Sequence, residues 1–218
     1  MKLALTLLIL TCLLVIAAKP AEAHQPRLVT EDTVTVKKPE VSQAFYGTLQ
    51  GRPAEFLIEE QEEFDLFVSI LIPDLPDSRR DFMVNVYKTG DDGNALLFGL
   101  DGKEHNWEPF FEPFVADNYF QGPEKKDTVP AGVYRIVVSN PDNSGKYVLS
   151  VGEEESFTLT ETAQTIRRLP AVKRFFEKSP WTAYFNLVGL FMLLSLLFVS
   201  AAIYGAYRLG KLLIIKII

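Results

Sequence analysis

Between residues 24 and 160, hydrophobic side chains tend to alternate with polar ones, the spacing of a β-strand with one buried face. The clearest runs are residues 56–58, 64–72, 82–87, 133–138 and 147–151, which are rich in β-branched and aromatic side chains. Turns rich in Gly, Pro, Asn and Asp separate these runs, and no helical repeat intervenes. The pattern therefore predicts an all-β domain, an antiparallel β-sandwich over residues 24–160.

The N-terminus has the organisation of a secretory signal. Lys2 supplies a positive start, residues 3–18 are apolar, and Ala21-Glu22-Ala23 forms a small–x–small cleavage pattern. We therefore predict a signal peptide over residues 1–23, cleaved after Ala23, with an uncleaved anchor as the alternative. Cleavage would place the β-domain outside the cytoplasm.

A second apolar segment lies near the C-terminus. Residues 183–207 carry no charge, a stretch long enough to span a bilayer, so we predict a transmembrane helix over residues 180–208 and a cytoplasmic tail over 209–218. Four aromatic residues near the two ends match the membrane interface: Trp181, Tyr184, Tyr204 and Tyr207. The predicted protein is a single-pass, type I protein of the cell membrane, with its N-terminal domain extracytoplasmic.

Residues 161–179 have the pattern of a basic amphipathic helix, broken or kinked at Pro170. Apolar residues recur at spacings of three and four, including Ile166, Leu169 and Val172. The basic residues between them, predicted to contact the lipid headgroups, are Arg167, Arg168, Lys173 and Arg174. The alternative is a packed stalk; of the two, we favour contact with the membrane surface.

Two segments at the end of the β-domain carry a family resemblance. Residues 129–138, Val-Pro-Ala-Gly-Val-Tyr-Arg-Ile-Val-Val, and residues 143–151, Asn-Ser-Gly-Lys-Tyr-Val-Leu-Ser-Val, resemble the last hairpin of bacterial pre-peptidase C-terminal domains. The resemblance implies a jelly-roll-like β-sandwich of the kind that accompanies secreted enzymes and is itself non-catalytic. The whole layout is also similar to that of prokaryotic single-pass membrane proteins.

The sequence lacks the familiar catalytic motifs. There is no Gly-x-Ser-x-Gly, no phosphate-binding loop, and no HExxH or CxxC spacing. The net charge of −6 and the lack of a basic stripe in the β-domain argue against a nucleic-acid partner. These features favour a non-catalytic protein.

A copper site is the sharpest chemical hypothesis. Cleavage after Ala23 would make His24 the first residue, and its α-amine and ring Nδ1 could then chelate a metal. The other histidine of the chain, His105, would supply a third nitrogen, and nitrogen ligands suit Cu(II). The alternative is that His24 simply follows the cleavage site and that His105 is solvated.

Aromatic residues are concentrated between residues 105 and 120. Trp107, Phe110, Phe111 and Phe114 are interleaved with Pro and Glu, which is consistent with a contact surface for a protein or glycan outside the cell. The alternative, which we favour, is that these side chains fold back and close one end of the sandwich.

Together these patterns predict a membrane-anchored, non-catalytic binding or scaffolding domain whose partners include the lipid bilayer. Two alternatives stay open. One is a copper-binding protein or oxidoreductase using His24 and His105. The other is an accessory subunit of a membrane complex, docked through the transmembrane helix, where Ala201 and Gly205 have the spacing of a helix-pairing motif.

Overall fold

The structure is a computed structural model that describes residues 24–90, 93–156 and 158–217. The predicted signal peptide, residues 1–23, lies outside the described residues. The described residues from His24 to Pro180 form one compact unit, and those from Trp181 onward belong to a second.

The first unit is built on two sheets that face each other. In the described residues the strands are β1 Gln25–Leu28, β2 Thr33–Thr35, β3 Gln43–Gln50, β4 Ala54–Glu60, β5 Phe64–Pro73, β6 Met83–Gly90, β7 Gly93–Asp101, β8 Glu108–Glu112, β9 Asp117–Val129, β10 Gly132–Ser139 and β11 Ser144–Val151. The six-stranded sheet has the order β1-β3-β11-β5-β9-β8, and the five-stranded sheet has the order β2-β4-β10-β6-β7. The predicted β-sandwich is confirmed.

Alternation within the strands explains the core between the sheets. Phe56 and Ile58 of β4 and Tyr134 and Ile136 of β10 point inward from the five-stranded sheet, and Leu149 of β11 meets them from the other. Most strand pairs are antiparallel, but the short edge strands β1 and β2 pair in parallel with β3 and β4. The sandwich is therefore antiparallel except where the edge strands β1 and β2 join their sheets.

The two segments that resemble a terminal hairpin do not pair with each other. Strand β10 lies between β4 and β6, whereas β11 lies between β3 and β5 in the opposite sheet. The Asn140 side chain closes the connecting turn by donating to the Ser144 carbonyl (2.7 Å) and accepting from its N–H (3.0 Å). Because β10 and β11 belong to different sheets, the turn between them crosses from one layer to the other. Tyr134 and Tyr147 therefore point into the core from opposite sheets.

A helix forms a third layer on the outer face of the six-stranded sheet. Helix α1, Leu159–Phe175, begins at Thr158, whose hydroxyl accepts from the Glu161 N–H (3.1 Å). The expected break at Pro170 is absent, and the helix is continuous through that residue. Its apolar side, with Leu169 and Val172, is buried within the first unit.

The second unit contains a 3₁₀ turn, Pro180–Tyr184, and helix α2, Leu187–Ile217. Within the described residues, one helix is long and apolar enough to cross a membrane, over Gly189–Arg208. Helix α2 continues through most of the segment predicted as a cytoplasmic tail.

Candidate functional site

The outer face of the six-stranded sheet carries several buried polar groups, including Ser69, Asp117 and Ser150. The strands β3, β5 and β11 at its centre are buried on both faces for much of their length, since the core lies on one side and α1 packs on the other. Two features of this face stand out: a polar cluster beneath α1 and an open pocket.

The cluster beneath α1 is centred on Asp117, at the start of β9. Its carboxylate is fully buried and contacts two ammonium groups, that of Lys173 at 2.7 Å and that of Lys178. Lys173 also donates to the Ala116 carbonyl (3.0 Å), and its side chain is only 3% exposed. Burying these charges is tolerable only because each has a partner of opposite sign.

Two buried tyrosines extend this cluster into an aromatic contact. The hydroxyls of Tyr46 and Tyr119 are 2.9 Å apart, and the Phe176 ring packs edge-on against Tyr119, with 4.9 Å between centroids. Phe175 packs similarly against Tyr46 at 5.3 Å. Burial raises the pKa of both tyrosines well above the ordinary value.

Glu112, at the end of β8, is a further buried polar residue near Asp117. Its carboxylate accepts the backbone N–H groups of Phe114 (2.9 Å) and Val115 (2.5 Å), which shapes the turn from β8 into β9. Burial raises the pKa of Glu112, and these two hydrogen bonds oppose the rise. The geometry is that of a structural acid supporting a turn.

The second feature, here called the outer pocket, has a volume of about 330 Å³. It is lined by His24, Ser42, Phe67, Ser69, Leu71, Phe110, Gln121, Glu124, Ser150, Glu153 and Glu155. Serine hydroxyls and Leu71 form the floor, since these residues are buried, and the three exposed glutamates lie at the rim.

A β-bulge shapes one side of the outer pocket. Leu71 pairs with Gln121 and Ser69 pairs with Glu124, so Ile70 stands opposite both Gly122 and Pro123. Residues three apart on a regular strand point to opposite faces, but the extra residue turns Gln121 and Glu124 to the same face. Their side chains are hydrogen-bonded at 3.2 Å.

His24 lines the outer pocket, and His105 does not. The Nδ1 atom of His24 contacts the hydroxyl of Ser42 and lies 3.4 Å from that of Ser150. His105 is exposed between β7 and β8, with its ring centroid 6.1 Å from that of Trp107. No group of three or more His, Cys, Asp or Glu side chains in residues 24–90, 93–156 and 158–217 is arranged to hold a metal ion.

The four aromatic residues of the predicted contact surface separate into different environments. Trp107 belongs to the core between the sheets, and its indole N–H donates to the Gly102 carbonyl (2.6 Å). Phe110 is half-buried in the outer pocket, and Phe114 lines a small cleft beside α1. Phe111 is 56% exposed on the edge strand β8. Trp107 therefore closes the sandwich, and Phe111 faces solvent.

The residues predicted to meet the membrane also differ in placement. On α1, Arg167 and Arg174 are exposed, while Arg168 is half-buried and donates to the Pro26 carbonyl (3.3 Å). Lys173 differs from the expectation, because its side chain is buried against the sheet and paired with Asp117. In the second unit, the exposed aromatic side chains include Trp181, Tyr184, Tyr204 and Tyr207.

Sequence reasoning missed the buried cluster of Glu112, Asp117, Tyr46 and Tyr119. One signal for it was present in α1, where Lys173 falls on the same helical face as Leu169 and Phe176. A lysine on an apolar face that is packed against protein needs an acidic partner. The sequence alone does not identify that partner as Asp117.

Comparison with known proteins adds structural neighbours. No protein-family model matches the chain, and no curated protein matches it. Among solved structures, the pre-peptidase C-terminal domain of a collagenase from Bacillus anthracis is similar, with 9% identity, a TM-score of 0.32, and coverage of 60% of this chain and 95% of that one.

Two further structures are similar at the same level. The surface-associated copper-binding protein CorA of Methylomicrobium album BG8 shows 8% identity and a TM-score of 0.31, with coverage of 59% of this chain and 100% of that one. A β-glucosidase from Paenibacillus barengoltzii shows 12% identity and a TM-score of 0.27, with coverage of 62% of this chain and 14% of that one. The class of this protein therefore rests on its own topology: a β-sandwich with a packed helix, followed by an apolar helix of membrane-spanning length.

Proposed function

We propose that this protein is a non-catalytic binding or scaffolding domain, tethered outside the cytoplasm by α2 as a single membrane span. The observation that carries the proposal is the packing of α1 onto the six-stranded sheet through Asp117, Lys173 and the Tyr46–Tyr119 pair. The last helix before the apolar segment is therefore part of the folded domain.

This packing matters because it leaves little free chain before the anchor. The Lys146 ammonium donates to the Phe175 carbonyl (2.8 Å) and pairs with Glu177 (2.7 Å), so the end of α1 is also held by the sheet. Only residues 178–186 separate these contacts from Leu187, where α2 begins. A domain without a long linker suits a role in presenting a surface near a membrane.

The order of apolar and basic segments along the chain supports placing the sandwich outside the cytoplasm. The N-terminal segment has the signal-peptide pattern, and Arg208, Lys211 and Lys216 follow the apolar stretch, as the positive-inside rule requires for a cytoplasmic end. Exposed aromatic residues, Trp181 and Tyr184 before the span and Tyr204 and Tyr207 in its C-terminal part, suit the two interfacial regions.

Fractionation tests the tether and its orientation together. The full chain with a C-terminal epitope tag should stay in the membrane pellet after an alkaline carbonate wash. A matched chain that ends after Ser179 should appear in the soluble extracytoplasmic fraction. Protease added to spheroplasts should digest the sandwich and spare the tag. Release of the full chain by carbonate, or protection of the sandwich from protease, would contradict the proposal.

Copurification from native membranes tests the scaffolding role. If the protein works as a free-standing binding domain, it should copurify with no membrane protein at a constant ratio. Stoichiometric recovery with a larger membrane protein, lost when the face of α2 that carries Ala201 and Gly205 is changed to leucine, would support the accessory-subunit alternative instead.

A further inference from the structure

The outer pocket has the chemistry of a binding site. Its volume of about 330 Å³ is at the lower end of the range for small-ligand sites. Phe67 and Phe110 provide partly buried aromatic surface, and Leu71 adds an apolar floor. Apolar walls with a few converging polar groups are typical of sites that bind an organic group.

One polar group on the floor has no hydrogen-bond partner among the residues that the structure describes. The Ser69 side chain lines the outer pocket, is only 3% exposed, and makes no hydrogen bond within the described residues. Its hydroxyl is not among the fully buried, unpartnered side-chain atoms of the described residues, so it is open to the pocket and can bond to water or to a ligand there. Beside it, Ser150 lies within 3.4 Å of His24 and Ser42 contacts that histidine, so Ser69 is the floor hydroxyl that is free to bind a ligand.

The rim is negative, and two of its charges are unpaired. Glu153 pairs with Lys126 at 3.0 Å. Glu124 accepts only from the neutral amide of Gln121, and Glu155 makes no ion pair within the described part of the chain. The bulge at Gly122 and Pro123 is what turns Glu124 toward the pocket. A rim of this kind attracts a cation.

We propose that the outer pocket binds a protonated amine with an apolar arm, a group found in free alkylamines and in lysine side chains. The ammonium would donate to the Ser69 hydroxyl and to the carboxylates of Glu124 and Glu155, while the arm packs between Phe67 and Phe110. This inference rests on the proposed function as a binding domain and supplies its ligand class. A metal ion is a poorer fit, because no group of three or more His, Cys, Asp or Glu side chains in the described residues is arranged to hold one.

The test uses the full chain in lipid nanodiscs and three probes, two cationic and one neutral. Butylammonium, Nα-acetyl-lysine methylamide and the neutral N-butylacetamide are compared by saturation-transfer NMR at pH 7. Both cations should bind, and N-butylacetamide should not. If the lysine derivative binds more tightly than butylammonium, the natural ligand is a lysine side chain of a protein; the reverse order indicates a free amine.

Variants of the rim and floor make the test specific. Glu124→Gln combined with Glu155→Gln should weaken butylammonium binding by about three- to tenfold, the loss of two exposed ion pairs. Ser69→Ala should weaken it further. Glu59→Gln is the matched control, since Glu59 is an exposed carboxylate on β4 of the other sheet, and it should leave binding unchanged.

Three results would overturn the inference. They are equal binding of the neutral probe, equal loss with Glu59→Gln, and a stoichiometric Cu(II) site that is removed by His24→Gln and excludes butylammonium. None of the variants alters the anchor. Carbonate extraction of the same membranes therefore tests the proposed tether independently of amine binding.

Discussion

At the scale of single residues, Asp117 is the group on which the third layer depends. It is fully buried between two lysines, one of which is itself buried. Desolvating Asp117 and Lys173 is unfavourable, and the attraction between the two charges offsets that cost only while both are present. The cluster therefore adds specificity to the position of α1, since a shifted helix would leave Lys173 buried without an anion.

Removing the carboxylate should reveal this dependence. Asp117→Asn leaves Lys173 buried without a counter-charge, so we expect the free energy of unfolding to fall by about 3–5 kcal/mol. Urea denaturation of the chain in detergent measures it. Asp127→Asn, which breaks the exposed pair with Lys125, should cost less than about 1 kcal/mol. Equal losses in the two variants would show that the buried cluster is not a special contributor.

The buried tyrosines make stability sensitive to alkaline pH. Burial raises the pKa of Tyr46 and Tyr119 above their ordinary value of 10.0, so both stay neutral in the folded state while the unfolded chain ionises. Their contribution is complete below pH 10 and is lost as the pH rises further. Each should add a slope of about 1.4 kcal/mol per pH unit to the fall in unfolding free energy.

Tyr46→Phe isolates that contribution. Above pH 10, the unfolding free energy of the variant should fall less steeply with pH, by the contribution of one tyrosine. Urea denaturation at successive pH values in the same detergent measures this slope. Tyr87→Phe, at a half-buried position on β6, is the matched Tyr-to-Phe substitution measured beside it. An unchanged slope in Tyr46→Phe would mean that this hydroxyl ionises in the folded state as freely as in the unfolded chain.

At the scale of elements, α1 shows how one pattern serves two environments. Its apolar stripe and flanking basic residues suit a membrane surface, but in the structure the stripe packs on the six-stranded sheet. Hydrophobic periodicity indicates that one face of a helix is buried, but it does not indicate whether lipid or protein buries that face. The exposed residues Arg167 and Arg174 remain as predicted contacts with headgroups.

A pair of substitutions on α1 distinguishes the two environments. Leu169→Ala removes a fully buried side chain and should lower the unfolding free energy of the detergent-solubilised chain by about 2–5 kcal/mol. Ala163→Ser, on the exposed side of the helix, should change it by less than about 0.5 kcal/mol. If Leu169→Ala were neutral in detergent yet weakened liposome binding, the stripe would belong to the membrane.

The strands were predictable where β-branched and aromatic residues form a run bounded by turn residues, whether one face is buried or both. Residues 133–138 alternate and coincide with β10, and residues 64–72 fall within β5. Strand β3 was missed because Gln43 and Gly47 occupy buried positions, so its sequence lacks a clear hydrophobic run or alternation. Strand β9 was missed because the bulge at Gly122 and Pro123 shifts its period midway.

The candidate site was less predictable than the fold. His24 and Phe110 were singled out for other reasons and lie together in the outer pocket, whereas Ser69, Glu124 and Glu155 gave no local signal. These residues come from strands far apart in sequence, and their convergence depends on the order of strands in the six-stranded sheet. A single sequence contains no direct record of that order.

At the scale of the whole molecule, the boundary of the folded domain lies after α1. The sequence pattern placed it near residue 160, but the compact unit extends to Pro180. Burial of Leu169, Val172 and Phe176 contributes on the order of 5–9 kcal/mol at the usual value per side chain. That amount is comparable to the whole stability of a typical domain.

Two truncations test this boundary directly. A chain of residues 24–179 should be a soluble monomer with a cooperative thermal transition. A chain of residues 24–156 lacks α1 and should expose Tyr46 and Tyr119 and leave Asp117 without its lysines, so we expect aggregation or a melting temperature lower by more than about 10 °C. Size-exclusion chromatography and circular dichroism report both outcomes. If the shorter chain matched the longer one in mass and melting temperature, α1 would be an appendage, and the proposed coupling of the sandwich to its membrane anchor would lose its structural basis.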